Sequence, residues 1–297
     1  LCFFKNKLKI MKLFLGGVQI GLKYGLFKKR IKKKEIKVIE NIILNNRVNF
    51  IDTAPTYGDS EKIIGNSKLN DLNILTKFNL NQFEKININL INNHVLDSIS
   101  KSLKKLNKKK LFGLFIHNYK ILLGSKGKII LNTLQNLKKK GIIQNLGISI
   151  YEPKDLSKVL GFWKPDMVQF PFNVLDQRIL KYSWLKKLKN KQIKLFARSC
   201  FLQGLLLVDH PYKNFSNKFN KHLIKFHQWC ISNNISKNEA CINFVKQFKD
   251  IDYLILGFDS SDQIRKNIRF FNNKNNQKIV PSIFTCTNKK IIDPRKW

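Results

Sequence analysis

Acidic residues are scarce in this chain: 19 Asp and Glu stand against 56 Lys and Arg among 297 residues, a formal charge of +37. An imbalance of that size ordinarily points to nucleic acid or a membrane surface. Arginine, however, is scarcer still, with only 7 of the basic residues Arg and 49 Lys. Readers of phosphate and guanine favour the planar guanidinium fork. The lysines are spread along the whole chain, in runs such as Lys28-Lys29-Arg30, Lys32 to Lys34, Lys108 to Lys110 and Lys138 to Lys140. That is the distribution of solvated helix faces and loops. The chain is also heavy in Asn, Ile and Phe, so the charge reads as genome composition, and no nucleic-acid partner is expected. The field still attracts anionic small molecules, a dinucleotide included.

Other absences narrow the class further. The five cysteines (Cys2, Cys200, Cys230, Cys241, Cys286) are odd in number and form no Cys-x-x-Cys pair. This excludes a disulfide framework or zinc ribbon and points to a reducing, cytoplasmic compartment. No metal-ligand cluster is visible, so no metal is expected. No apolar run approaches the ~20 residues of a membrane span. Met11 to Leu15, behind Lys5, Lys7 and Lys9, is too short and too broken for a signal peptide, and no small-residue cleavage site follows. The chain opens on Leu1, and Met11 reads as the natural start, with residues 1–10 an ill-defined leader. Finally, no Gly-x-Gly-x-x-Gly follows a strand, which argues against a Rossmann domain.

What is present is an alternation. Short apolar runs read as strands: Lys12 to Leu15, Val48 to Ile51, Leu72 to Thr76, Leu111 to Ile116, Leu146 to Ile148, Met167-Val168, Ile193 to Ala197 and Tyr253 to Leu256. Helical patterns lie between them. Glu35 to Leu44 carries Ile36, Val38, Ile39, Ile42 and Ile43, and Leu96 to Leu106 carries Leu96, Ile99, Leu103 and Leu106. Ser236 to Phe248 opens on a Ser-x-x-Glu capping box at Ser236 and Glu239. Strand then helix, repeated eight times without a linker, predicts α/β architecture: a single (β/α)8 TIM barrel with parallel strands over 11–270, and a tail, 271–297, over the barrel.

In such a barrel, chemistry sits at the C-terminal strand ends. The polar residues closing the strands are Asp52, Lys77, His117, Ser149, Gln169 and Arg198, and Tyr57 follows Asp52 by five positions. A tyrosine, with an ordinary pKa of ~10, is a weak acid at neutral pH. A neighbouring ammonium such as Lys77 is expected to lower it, with Asp52 holding that ammonium and His117 orienting a substrate oxygen. Singly, each has a plainer reading: Asp52 as a helix cap, Lys77 as a surface lysine, His117 as a packed core histidine. His222 and His227 read as packing or surface residues, and His94 and His210 show no partners.

Taken together, the motifs resemble the aldo/keto reductase family. Asn49 to Gly58 (NFIDTAPTYG), with Ser60-Glu61 and Ile64-Gly65, resembles its signature. Leu75 to Phe78 and Leu114 to Asn118 resemble its lysine and histidine strands. Asn145 to Ser149, Val168 to Asn173 and Leu254 to Gly257 resemble its later strands. Val18 to Gly25, Asn173 to Arg178 and Arg198 to Leu205 are similar to a bacterial branch found near cell-surface sugar pathways. The resemblance runs from about Leu13 to Asn267.

It implies an NAD(P)H-dependent carbonyl reductase acting on an aldehyde, a ketone or a sugar carbonyl, with the tetrad Asp52, Tyr57, Lys77 and His117 and with Tyr57 as the proton donor. It also implies that Ser149 and Gln169 hold the nicotinamide carboxamide and that Ser199 to Leu205, including Leu202 and Gly204, crosses the pyrophosphate. Gly257, Asp259, Gln263 and Asn267 would line the adenosine end.

Three positions depart from the family pattern. Ile150 stands where Asn is frequent. Arg198 replaces an aromatic ring on the nicotinamide, where its flat guanidinium is expected to stack instead. Asp259 replaces a Ser or Thr at the 2′-phosphate, though Arg265 and Lys266 lie close by. NADP(H) is the family default and NAD(H) the alternative. Other functions compatible with the sequence are a catalytically silent cofactor-binding sensor or interaction subunit of the same fold, and a barrel lyase or epimerase.

Overall fold

The computed structural model describes residues 10–79, 85–208, 217–273 and 278–297, without the side chains of 217–220. Nine of the ten leader positions, and His210, lie outside the described residues.

Eight parallel strands close into a barrel in chain order. They are β1 (Lys12–Gly16), β2 (Phe50–Asp52), β3 (Asn73–Phe78), β4 (Gly113–Ile116), β5 (Leu146–Ser149), β6 (Met167–Pro171), β7 (Lys194–Arg198) and β8 (Tyr253–Gly257). Closure is the β1–β8 ladder, in register from Lys12 opposite Tyr253 to Gly16 opposite Gly257. The α-helices are α1 (Val18–Gly21), α2 (Glu35–Asn45), α3 (Ser60–Gly65), α4 (Ile91–Lys105), α5 (Gly127–Lys139), α6 (Asp155–Leu160), α7 (Trp184–Asn190), α8 (Asn217–Ser232), α9 (Lys237–Lys246), α10 (Ser261–Asn272) and α11 (Lys289–Ile292).

The strands read as apolar runs because both of their faces are covered. Successive side chains alternate between the inside and the outside of the barrel. Phe14, Phe115, Phe196 and Tyr253 point inward with Leu75 and Met167, joined by Phe50 and Phe112. Leu13, Leu15, Leu114, Ile116, Leu195 and Leu254 belong to the outer core. Inside, the Phe196 and Tyr253 rings stack at 4.2 Å and those of Phe14 and Phe50 at 4.7 Å. This aromatic floor fills the barrel beneath the mouth.

Two details differ from the periodicity reading. α4 begins five residues before Leu96, because Asn87 accepts a hydrogen bond from the Asn89 amide and starts a turn that runs directly into the helix. Its buried face is therefore Ile91, Val95, Ile99 and Ser102, while Leu96 is exposed. In α2, Val38 is exposed and Glu40 is buried, where its carboxylate accepts from the Lys68 amide. The cap of α9 is as expected, with Ser236 accepting from the Glu239 amide.

Beyond α10 the chain returns across the β6 side. Phe284 packs on Phe226 and Trp229 of α8, the Cys286 amide donates to Leu175, and Gln177 donates to the Ser282 carbonyl. Among the described residues, no helix is long and apolar enough to cross a membrane.

Candidate active site

The segment after β2 is held by small side chains. Ser60 Oγ donates to the Gly17 carbonyl at 2.8 Å and accepts from Thr53 Oγ1 at 2.9 Å, which ties the β2 and β1 ends together. α1 lies so close to this turn that a Cβ at Gly21 would overlap the Tyr57 carbonyl oxygen and the Ser60 amide. Glycine at 21 is what lets Tyr57 reach its place. β3 brings Lys77 beside Asp52, and His117 follows β4 with its amide donating to the Phe78 carbonyl. All four side chains face one cleft of about 470 Å³.

Lys77 is 2 % exposed and spends its three N–H donors on Asp52 Oδ1 (2.8 Å), Asp52 Oδ2 (2.7 Å) and the Thr53 carbonyl (3.0 Å). Burial pulls the Lys77 ammonium below the ordinary lysine range, and the Asp52 charge and hydrogen bonds oppose this. The Lys77 nitrogen stands 4.8 Å from the centre of the Tyr57 ring, over its face. The phenol nevertheless stands above its ordinary range. Burial, and then the Asp52 charge, push Tyr57 well above the ordinary tyrosine range, and Arg198 is the cation that pulls it back. The expectation of a lowered Tyr57 is thus corrected: burial and the Asp52 charge outweigh the cations around it. His117 is pushed down to about 4 by burial and then by Lys77 and Arg198, so it is neutral near pH 7.

The candidate cofactor residues fall into three groups. Ser149 and Gln169 are buried side by side, with Ser149 Oγ donating to Gln169 Oε1 at 2.8 Å and Gln169 Nε2 donating to Asp52 Oδ1 at 3.2 Å. Arg198, at the end of β7, and Ser199 and Gly204, in the loop after it, line the cleft. That loop carries four residues in the left-handed region: Ser199, Leu202 and Gln203 have φ of 61°, 46° and 55°, and Gly204 has 96°. A Cβ at Gly204 would meet nothing within 4 Å, so the loop leaves space there. Gly257, Asp259 and Gln263 line the far end, with Gln263 Oε1 accepting from the Asp259 amide at 2.8 Å. Leu202 and Asn267 are not on the cleft wall. Leu202 is buried in the core and contributes the turn, and Asn267 lies just behind, donating to the Gly257 carbonyl. The Arg198 guanidinium lies on Tyr151, 4.3 Å from the ring centre, and donates to Ser199 Oγ and to the Ile150 carbonyl.

Sequence reasoning missed the roof and the anchors. Gln203 donates to Tyr24 Oη at 2.7 Å, its carbonyl accepts from the Leu26 amide, and Lys29 pairs with Asp259 at 3.4 Å. The loops after β1, β7 and β8 are thereby joined above the cleft. Asn173 donates to the Ser199 carbonyl and fixes the loop after β7. Tyr24 and Asn173 lie inside motifs already noted, but no local spacing says what they touch. Arg295, 3.6 Å from the Tyr151 ring centre, comes from the tail, where no motif marked it.

The sequence pattern of the Aldo/keto reductase family matches residues 12–286. The chain belongs to the aldo/keto reductase family. It is an oxidoreductase, of a family that uses nicotinamide cofactors. A D-arabinose 1-dehydrogenase of Saccharomyces cerevisiae is 22% identical over 282 residues, 86% of this chain and 81% of that protein. Two solved structures share the fold: an aldo-keto reductase of Bacillus halodurans in its holo form (TM-score 0.69, 18% identity, 89% of this chain and 87% of the other) and a glycerol dehydrogenase of Gluconobacter oxydans (TM-score 0.67, 19% identity, 95% and 90%).

The cleft fits such a cofactor. Arg198, with no carboxylate among the described residues paired to it, and Lys266 bring positive charge to its wall, which suits a dinucleotide's phosphates. The open space at Gly204 gives a phosphate close access to the backbone.

Proposed function

We propose that this aldo/keto reductase reduces the carbonyl of a small aldehyde or ketone, with Tyr57 as the acid that protonates the oxygen. The observation that carries the reading is the convergence of Tyr57, Lys77, Asp52 and His117 from three strand ends on one cleft. A bound nicotinamide cofactor supplies the hydride. Ser149, Gln169, the loop from Ser199 to Gly204, and the Gly257 to Asn267 region are the residues that would hold it. NADP(H) is the preferred form of this proposal.

His117, neutral at working pH, offers an N–H to the substrate oxygen and fixes it near Tyr57. Tyr57 keeps its proton until that oxygen becomes basic. As the proton leaves Oη, the phenolate charge forms beside the Lys77 ammonium, which Asp52 and the Thr53 carbonyl hold in one orientation. Arg198 adds a second positive charge. Preorganised charge of this kind stabilises the transition state without reorganising at the moment of reaction. The names of two relatives, a D-arabinose dehydrogenase and a glycerol dehydrogenase, support a small hydroxylated compound as the substrate. The same groups serve the reverse oxidation, and the chain's compartment is proposed to be the cytoplasm.

The test is a titration with NADPH and NADH, then cofactor oxidation with aldehydes and sugar carbonyls, for the wild type and Tyr57→Phe. Binding with turnover that collapses in the variant is the expected result. Turnover unaffected by Tyr57→Phe overturns the assignment.

A further inference from the structure

Seven arginines occur in a chain with 49 lysines, and three of them, Arg178, Arg198 and Arg295, gather at one side of the barrel mouth. A guanidinium offers a planar fork of donors that an ammonium lacks. Two of the three have clear partners. Arg178 grips both oxygens of Asp176 at 2.8 and 2.7 Å and reaches Glu152 at 2.8 Å. Arg295 grips Asp293.

Arg198 has no such partner: no carboxylate among the described residues is within ion-pair distance of it. The acids on this side are already engaged, Asp52 by Lys77, Asp176 by Arg178, Glu152 by Arg178 and Lys289, and Asp293 by Arg295. Its two hydrogen bonds go to neutral oxygens, Ser199 Oγ and the Ile150 carbonyl, so at least half of its five N–H donors are unspent. Packing on Tyr151 holds the group flat and half-buried at the wall of the cleft that also contains Tyr57 and His117. Arg295 packs against the same ring, its own charge balanced by Asp293. A half-buried guanidinium with unspent donors and no counterion is an anion site awaiting its ligand.

We infer that Arg198 selects carbonyl substrates that carry a second, anionic group, a carboxylate or a phosphate ester, and holds that group while the carbonyl lies between Tyr57 and His117. The inference rests on the reductase reading and names its substrate class. It also gives the departure at position 198 a purpose: an aromatic ring there carries no positive charge, whereas a guanidinium both covers a flat ligand and binds an oxyanion. The bulk charge of the protein attracts anions to the whole surface, but that attraction is screened beyond about 8 Å at physiological salt. A contact at Arg198 is short-range and survives salt.

The experiment compares matched pairs for the wild type, Arg198→Lys and Arg198→Gln, at physiological and at 0.5 M salt. The carboxylate pair is 4-carboxybenzaldehyde against benzaldehyde, and the phosphate pair is glyceraldehyde 3-phosphate against glyceraldehyde. For at least one pair, the wild type should prefer the anionic member by roughly tenfold or more in kcat/KM at both salt concentrations, as a charge-assisted contact warrants. That ratio should collapse toward one in Arg198→Gln and persist in part in Arg198→Lys, which keeps the charge and loses the fork. The pair that responds identifies the anion.

A preference for the neutral members, or an anionic preference that Arg198→Gln retains, overturns the inference. Titrating the protein with benzoate against benzamide, and glycerol 3-phosphate against glycerol, separates the two readings. Anion binding lost in Arg198→Gln, in a protein that turns over no carbonyl, sinks the reductase reading and keeps the anion site. Absence of that binding, or binding indifferent to Arg198→Gln, sinks the site. Thermal melting of each variant establishes that it is folded.

Discussion

Gln169 donates its amide nitrogen to Asp52 Oδ1 at 3.2 Å, the carboxylate oxygen that also accepts from Lys77 at 2.8 Å. Ser149 extends the chain by donating to the same glutamine's carbonyl oxygen. A continuous line of buried polar groups thus crosses the mouth from β5 through β6 and β2 to β3. The pair expected to hold the cofactor's carboxamide is joined directly to the pair expected to support Tyr57. Such a network is worth most when every member is satisfied, and it is costly when one is removed.

Asp52→Asn tests this dependence. The substitution keeps the shape and leaves the Lys77 ammonium buried without its counterion. Breaking one side of a buried pair costs about 3–5 kcal/mol, so the melting temperature should fall clearly. The sign of the pH dependence follows from Lys77. Burial depresses its folded-state pKa, and without Asp52 the folded protein prefers the neutral amine while the unfolded chain keeps its proton. The variant should therefore gain stability as pH rises toward the ordinary lysine pKa. Denaturant melts from pH 6 to 10 check it. A stability that is flat across this range contradicts the assignment of the charge.

Tyr57→Phe should remove about 10²–10⁴-fold of kcat with cofactor affinity little changed. Because burial and Asp52 raise the Tyr57 pKa, the wild-type phenol is fully protonated throughout the neutral range. The kcat profile for reduction should accordingly show no loss of the acid below the ordinary tyrosine pKa. A descending limb centred near pH 7 to 8 would mean that the bound state acidifies Tyr57 through a contact this arrangement lacks.

Much of this was legible in the sequence. Strand and helix alternation gave the barrel because each strand is an apolar run covered on both faces. The strand-end rule gathered Asp52, Lys77, His117, Ser149, Gln169 and Arg198, since a parallel barrel brings all its C-terminal ends to one rim. What escaped was pairing across long separations. Nothing near Tyr24 names Gln203, and nothing near Asp259 names Lys29. The misjudged tuning of Tyr57 has the same origin: proximity to Lys77 was readable, but the burial of the phenol beside the Asp52 charge was not. The α4 boundary was missed because Asn87 caps a short turn ahead of the periodic stretch.

His117 predicts a stability window in acid. Burial, Lys77 and Arg198 push it down to about 4. Between the ordinary histidine pKa of ~6.5 and that value, the unfolded chain binds a proton that the folded protein refuses. Stability should fall as pH drops through this window, and His117→Gln should flatten that part of the profile. NMR of the imidazole should show a titration midpoint at about 4. A midpoint near 6.5 would place the ring in solvent instead.

Cofactor preference is predicted to turn on the pair of Lys29 and Asp259, which lies 3.4 Å apart at the far end of the cleft. A carboxylate there repels a 2′-phosphate, and an ammonium beside it offsets the repulsion. Lys29 is largely exposed, so each effect is modest, up to about fivefold in affinity, consistent with screened surface pairs. Lys29→Ala should weaken NADPH binding more than NADH binding, because it leaves the Asp259 charge uncompensated. Asp259→Ser should shift the ratio the other way. The shifts oppose each other only if the 2′-position lies against this pair. Equal losses for both cofactors in Lys29→Ala would instead assign Lys29 to holding the β1 loop over the cleft, the role that Tyr24 and Gln203 also serve.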